Sequence, residues 1–169
     1  FSGDLKQLQI NNISLKTSGM LQALLNGEVR NLIDIDKLSY DVKIANIKTG
    51  INDVKAFQQD LPEILNEFKK IEYKGILSGT KKSYFLKGGL NTTLGFLRSN
   101  LKLDFNEDFS HAKYKGKLDL DTFKLGSLLS MENMGDITMK AKVNGSGLSI
   151  EDLNAALEAE VSLFSFNGY

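Results

Sequence analysis

The stretch "GDITMKAKVNGSGLSIEDL", residues 135–153, decides the fold. From Ile137 to Val143 every second residue is apolar (Ile137, Met139, Ala141, Val143), with Thr138, Lys140 and Lys142 between them. Side chains of a strand alternate between the two faces of a sheet, so this run predicts one apolar face and one wet, lysine-bearing face. Gly145-Ser146-Gly147 ends it. The same pattern returns in "LKQLQINNISLK", "KLSYDVKIANIK", "SNLKLDF" and "AKYKGKLDLDTF", and more weakly in "EVRNLIDI", "YKGILSG", "SYFLKGG" and "EAEVSLFSF". With 15 glycines and a single proline punctuating short alternating runs, the chain predicts about ten antiparallel strands joined by turns.

One stretch departs from this period. "NDVKAFQQDLPEILNEFKK" sets Val54, Phe57, Leu61, Ile64, Leu65 and Phe68 at steps of three and four, which predicts an amphipathic helix over residues 53–69. Asn52 or Asp53 caps its start, and Pro62 kinks it or begins a second short helix. A further helical turn is expected in "SIEDLNAAL", or else a wide turn into the last strand. "GEVRNLIDIDKLSYDVKI" and "YKGKLDLDTFKLGSLL" read as a degenerate repeat, each ending in a strand or a leucine-bearing loop.

Composition narrows the function classes. The 169 residues are 41% apolar and 25% charged, with 21 basic residues against 21 acidic. That balance lacks the overall bias nucleic acid favours, so no nucleic-acid partner is expected. No cysteine is present, which removes disulfides, thiolate metal sites and cysteine nucleophiles. No apolar run approaches the roughly 18 to 20 residues a membrane-spanning helix needs. The chain starts abruptly on Phe1 and stops on "FSFNGY", and we expect a slice of a longer protein, organised as one domain.

Titratable groups offer little chemistry. His111 is the one histidine, in "FSHAKYK", and no partner completes a triad with it. Asp34/Asp36 and Asp119/Asp121 are expected on strand faces opposite Ile33/Ile35 and Leu118/Leu120, which is the solvated side. Asp104, Asn106 and Asp108 open like a calcium loop, but Phe109 and Lys115 stand where glycine and glutamate are required. We expect no catalytic residue, no metal and no cofactor.

What remains is the apolar face. The residues expected to line it are Leu8, Ile10, Ile13, Leu15, Leu38, Tyr40, Val42, Ile44, Leu101, Leu103, Phe105, Leu118, Leu120, Ile137, Met139, Ala141 and Val143. Val54, Phe57, Leu61, Ile64 and Leu65 would form a helix face covering part of it or closing one end. A β-sandwich or barrel would make this face ordinary core. A sheet curled into a trough would instead leave it free for acyl chains.

The segments "DVKAFQQDLPEIL", "YKGILSGT" with Gly75-x-x-x-Gly79, "YKGKLDLDTFKLGSLL", "MGDITMKAKVNGSGLSIEDLNAAL" and "VSLFSFNGY" follow one another across most of the chain. In pattern and order they resemble the TamB family of the AsmA-like group, in its Bacteroidota form. The resemblance implies a β-taco, a U-shaped antiparallel sheet with an apolar groove, in a long periplasmic protein anchored in the inner membrane. It implies a BamA-like outer-membrane partner (TamA or its lipoprotein version) and non-enzymatic transfer of phospholipid between the membranes. An alternative role for the family is a scaffold or chaperone-like module assisting assembly of outer-membrane β-barrels. Energetically a dry groove is sufficient for transfer: sheltering some 15 methylenes from water is worth roughly 12 kcal/mol, at about 0.8 each. Ten strands at about 4.8 Å give roughly 48 Å, longer than one acyl chain and far short of a bridge between membranes.

Overall fold

The computed structural model describes residues 2–3, 6–17, 19–57, 63–105, 112–147, 152 and 154–166. They form a single antiparallel sheet in which every strand pairs with its neighbours in sequence, and the sheet is not closed. A two-residue strand, β1 (Ser2–Gly3), lies on one edge. Nine longer strands follow: β2 (Gln7–Lys16), β3 (Gln22–Arg30), β4 (Ser39–Gly50), β5 (Lys70–Thr80), β6 (Ser83–Thr92), β7 (Gly95–Asp104), β8 (Lys113–Lys124), β9 (Met134–Ser146) and β10 (Asn154–Phe166). The opening run is the heart of β9, which begins three residues before Ile137 and ends one before Gly147, a residue at φ +79°.

The weak run "EVRNLIDI" is misplaced as a strand. β3 starts earlier, at Gln22, and stops at Arg30; Leu32–Ile33 form a turn and Ile35–Lys37 a 3-10 turn. Asp34 and Asp36 therefore lie on no strand face, and instead pair with Lys37 at 2.9 Å and Lys81 at 3.2 Å. The early start of β3 was hidden because Leu24 and Leu25 are adjacent, with Leu24 facing out at an irregularity of the β3–β4 register.

Helical structure is short. Within the span expected as one helix over 53–69, the described residues form α1 (Ile51–Phe57), which starts two residues earlier, and a separate 3-10 turn (Glu63–Glu67). Leu61 and Pro62 lie outside the described residues. Asp53 anchors α1: its Oδ2 accepts the backbone N–H of Met20 at 3.0 Å and that of Gly50 at 3.4 Å. A second helix, α2 (Leu125–Leu129), occupies the "KLGSLL" segment read as strand or loop. It closes on Gly126, which lies so near the carbonyl of Met134 that a Cβ would sit 1.7 Å from that oxygen. In "SIEDLNAAL", residues 149–151 and 153 lie outside the described residues, and from Asn154 the chain is β10 rather than helix.

These helical pieces gather at one end of the sheet. Phe68, Leu125 and Leu128 pack with Leu97, Leu120 and Met139 around buried Leu94, Phe123 and Ile137. Thr93 donates its hydroxyl to the Glu67 carbonyl at 2.9 Å, and Lys124 N–H bonds the Leu94 carbonyl at 2.7 Å, tying the turns of this end together.

Candidate functional site: an apolar face shared by nine strands

Directly opposed residues in an antiparallel ladder present side chains to the same face. The register therefore traces the apolar face row by row. One row runs Leu15, Ala23, Ile47, Tyr73, Leu90, Leu97, Leu120, Met139, Val161 from β2 to β10. The next runs Ile13, Leu25, Ile44, Gly75, Gly88, Ser99, Leu118, Ala141, Ala159. A third runs Ile10, Gly27, Val42, Leu77, Leu86, Leu101, Gly116, Val143, Leu157, and a fourth Leu8, Val29, Tyr40, Gly79, Tyr84, Leu103, Tyr114, Gly145, Ala155. No charged residue interrupts any of them.

Three bulges keep the rows in phase. Ile10 and Ile13, Ile44 and Ile47, and Leu120 and Phe123 are spaced by three, which in a regular strand would send one of each pair to the wet side; in each case the register shifts between them. Asn12 and Thr122 take left-handed backbone at φ 50° and 47° to do this. The amides of these two residues are satisfied by the neighbouring strands, Asn12 N–H by Asn26 Oδ1 at 2.7 Å and Thr122 N–H by Thr138 Oγ1 at 3.0 Å.

The middle of the second row has almost no side-chain volume. Gly75 and Gly88 face each other beside Ser99, and the Tyr73 ring folds over them, its hydroxyl donating to the Ile76 carbonyl at 3.1 Å. A Cβ on Gly75 or Gly88 would lie 2.5 or 2.7 Å from that hydroxyl. Tyr73 is thereby buried, and burial raises its pKa. At the end away from the helices the fourth row carries an aromatic rim: Tyr84 packs against Tyr40 at 6.2 Å and edge-on against Phe105 at 5.2 Å. The Tyr40 hydroxyl is buried without a hydrogen-bond partner among the described residues, and its pKa is pushed up to about 12, first by burial and then by Tyr84.

The expected lining residues of β2, β4, β7, β8 and β9 all fall in these rows or, for Ile137, directly beyond them opposite Phe123. Leu38 precedes β4 and Phe105 follows β7, where its ring joins the aromatic rim. Of the expected helix face, Val54 and Leu65 are half-buried, the side chains of Phe57 and Ile64 are outside the described ones, and Leu61 lies outside the described residues altogether. Phe68, Leu125 and Leu128 are the residues that cover the face at this end, with Phe68 set 6.3 Å from Phe123. The rows of β3, β5, β6 and β10 were missed, Tyr73, Leu77, Leu86 and Leu90 among them; in β3, β5 and β6 the alternation is broken by glycines that themselves belong to the face.

Among the described residues polar chemistry gathers nowhere on this face. Asp119 and Asp121 point to the opposite side, where Asp119 stands 3.7 Å from Arg98. Asp104 accepts the Ser83 hydroxyl at 2.6 Å and pairs with Lys102, and these bonds lower its pKa. His111, Asn106 and Asp108 lie outside the described residues. Among the described residues no group of three or more His, Cys, Asp or Glu side chains is placed to hold a metal, and no helix is long and apolar enough to cross a membrane. No family model, curated protein or solved structure matches this chain.

Proposed function

We propose that this chain is a non-enzymatic segment of a lipid-transfer protein, whose apolar face forms a groove for phospholipid acyl chains. The observation that carries the reading is the uncharged face running without interruption through four rows and nine strands, with α1 and α2 both at the same end of it. A β-taco is the shape in which such a face serves acyl chains, bending the sheet into a U with head groups left at the lip. Walls of leucine, valine and alanine offer nearly uniform affinity, which suits a chain that must slide, and the transfer consumes no chemistry. The periplasmic setting, the inner-membrane anchor and the BamA-like outer-membrane partner of the parent protein follow from the sequence resemblance and belong to the same proposal.

The test is native mass spectrometry of the purified chain, with solvent extraction and lipid identification on the same sample. Co-purifying phospholipid that is lost in Leu103→Asp and retained in Lys102→Asp, both folded by circular dichroism, is the expected result. Leu103 is the better probe than Met139, because Met139 packs against the buried cluster at the helical end and a charge there would weaken folding as well as binding. A lipid-free mass from a folded chain, even after incubation with phosphatidylglycerol and phosphatidylethanolamine vesicles, would sink the reading and leave the face as core.

The second reading, a scaffold for β-barrel assembly, draws on β10. Its thirteen residues pair on one side only, and Leu157, Val161, Leu163 and Phe164 are 46–56% exposed. An unpaired edge of that length is a template for an incoming strand. Binding of an isolated outer-membrane strand peptide that is abolished by proline substitutions in β10, with no lipid found, would favour it.

A further inference from the structure

The polar face of the sheet carries a cavity of about 650 Å³ over the middle of β4 to β8. Lys117 and Asp119 line it but Leu118 between them does not, so it opens on the side opposite the apolar rows. Around it stand Lys43, Lys74, Lys87, Lys117 and Arg98, and one carboxylate, Asp119, already placed 3.7 Å from Arg98. Some lysines elsewhere on the sheet find partners: Lys48 and Lys70 share Glu72, and Lys142 pairs with Glu158. Lys43, Lys74, Lys87 and Lys117 form no ion pair with a described residue. Lys117 sits directly opposite Lys142, and Lys102 directly opposite Lys115, arrangements in which like charges destabilise a ladder. Four lysines without an ion partner among the described residues thus ring one concavity of a chain that carries no net charge.

We propose that this cavity is a binding site for a phosphate-class anion, with the four lysines as its counter-charges and Arg98 as a planar donor. Arg98 is oriented by Asp119 on one side and by the Phe96 ring, 5.8 Å from its guanidinium carbon, on the other. Ammonium groups around a planar guanidinium suit phosphate oxygens, which accept several charge-assisted hydrogen bonds at once. Gly75 and Gly88 also line the cavity, between the flanking residues Lys74 and Ile76 on β5 and Lys87 and Gly89 on β6. The site stands independently of the lipid reading, since it occupies the other face. Its phosphate has two possible sources, a free phosphorylated molecule or the head groups of an anionic bilayer.

The experiment is calorimetric titration with inorganic pyrophosphate at low ionic strength, alongside flotation with vesicles of pure phosphatidylcholine and of phosphatidylcholine containing phosphatidylglycerol. The variants are Lys87→Gln/Lys117→Gln and, as a charge-matched control away from the cavity, Lys16→Gln/Lys124→Gln. Pyrophosphate binding weakened at least about tenfold by the first pair, and little by the second, is the expected result and identifies a site for free anions. No pyrophosphate binding, but flotation that needs phosphatidylglycerol and disappears in Lys87→Gln/Lys117→Gln, supports the site with membrane head groups as the source. Absence of both, equal weakening by both variants, or flotation indifferent to phosphatidylglycerol and to the variants would overturn it; the last outcome belongs to the apolar face. The Lys117 change relieves the repulsion with Lys142, so the variant should unfold at no lower temperature than the parent, which separates lost binding from lost structure.

Discussion

The two ends of the apolar face are built from the same alternation and end up in different states. At the helical end Phe123 is 2% exposed and Leu94 4%, under Phe68, Leu125 and Leu128. At the other end Tyr40, Tyr84, Leu103 and Tyr114 present the same strand face, yet all remain half-buried. A pleated strand fixes which face a side chain takes, but how dry that face becomes depends on what lies over it. Here the covering comes from short pieces in the connections after β4 and β8, so the sheet has a packed end and a rimmed end.

The largest expected effect tests that contrast directly. Phe123→Ala should lower unfolding free energy by about 3–5 kcal/mol, since the truncation leaves a cavity that its neighbours only partly fill. Leu103→Ala at the rimmed end should cost about 1–2 kcal/mol, because a half-buried side chain loses less transfer energy and leaves no closed void. Urea denaturation of both reads the difference, and equal losses would mean the two ends are packed alike. Between them in place, Gly88→Ala should cost about 1–3 kcal/mol through overpacking. Its Cβ would fall 2.2 Å from the Lys74 carbonyl oxygen and 2.7 Å from the Tyr73 hydroxyl, so the Tyr73 ring must lift and the β5 backbone must shift away from β6. Asp53→Ala, at the helical end, should cost about 1 kcal/mol by leaving the Met20 and Gly50 amides without their carboxylate.

How much of this was legible follows from where each signal is stored. The all-antiparallel sheet and the facing of β2, β4, β7, β8 and β9 were open to a period-two reading because their apolar residues are side chains that alternate. Ile13 and Leu15 share the face with Ile10 although they are out of step with it in sequence; the bulge at Asn11–Asn12 that brings them into line was not visible as such. The β5 and β6 portions of the face were lost, because Gly75, Gly79 and Gly88 read as turn signals when they are strand residues roofed by Tyr73 or set opposite tyrosines. α2 escaped because five residues, Leu125–Leu129, are too few to show a helical period. The charged cavity was invisible for a different reason. Net charge sums over the chain, whereas Lys43, Lys74, Lys87 and Lys117 are brought together by register across four strands, and no window of sequence contains them all.

The smallest effect sharpens the comparison most locally. Tyr40 lies at the rimmed end with a hydroxyl that is buried without a partner among the described residues, and its pKa stands at about 12 against an ordinary 10.0. A raised folded-state pKa means the native chain holds its proton longer than the unfolded one, so this part of the stability is intact below pH 10 and is lost as pH climbs towards 12. Tyr40→Phe removes a hydroxyl that lacks a partner and should leave neutral-pH stability unchanged or raise it by up to about 1 kcal/mol, while flattening the alkaline fall. Absorbance titration near 295 nm of the parent and of Tyr40→Phe isolates the one phenol. If it ionises near 10 with the exposed tyrosines, water reaches the rim freely and the two ends differ even more than their burial implies. If it ionises near 12, the rim is dry around Tyr40 and the contrast between the ends narrows to how tightly each is packed.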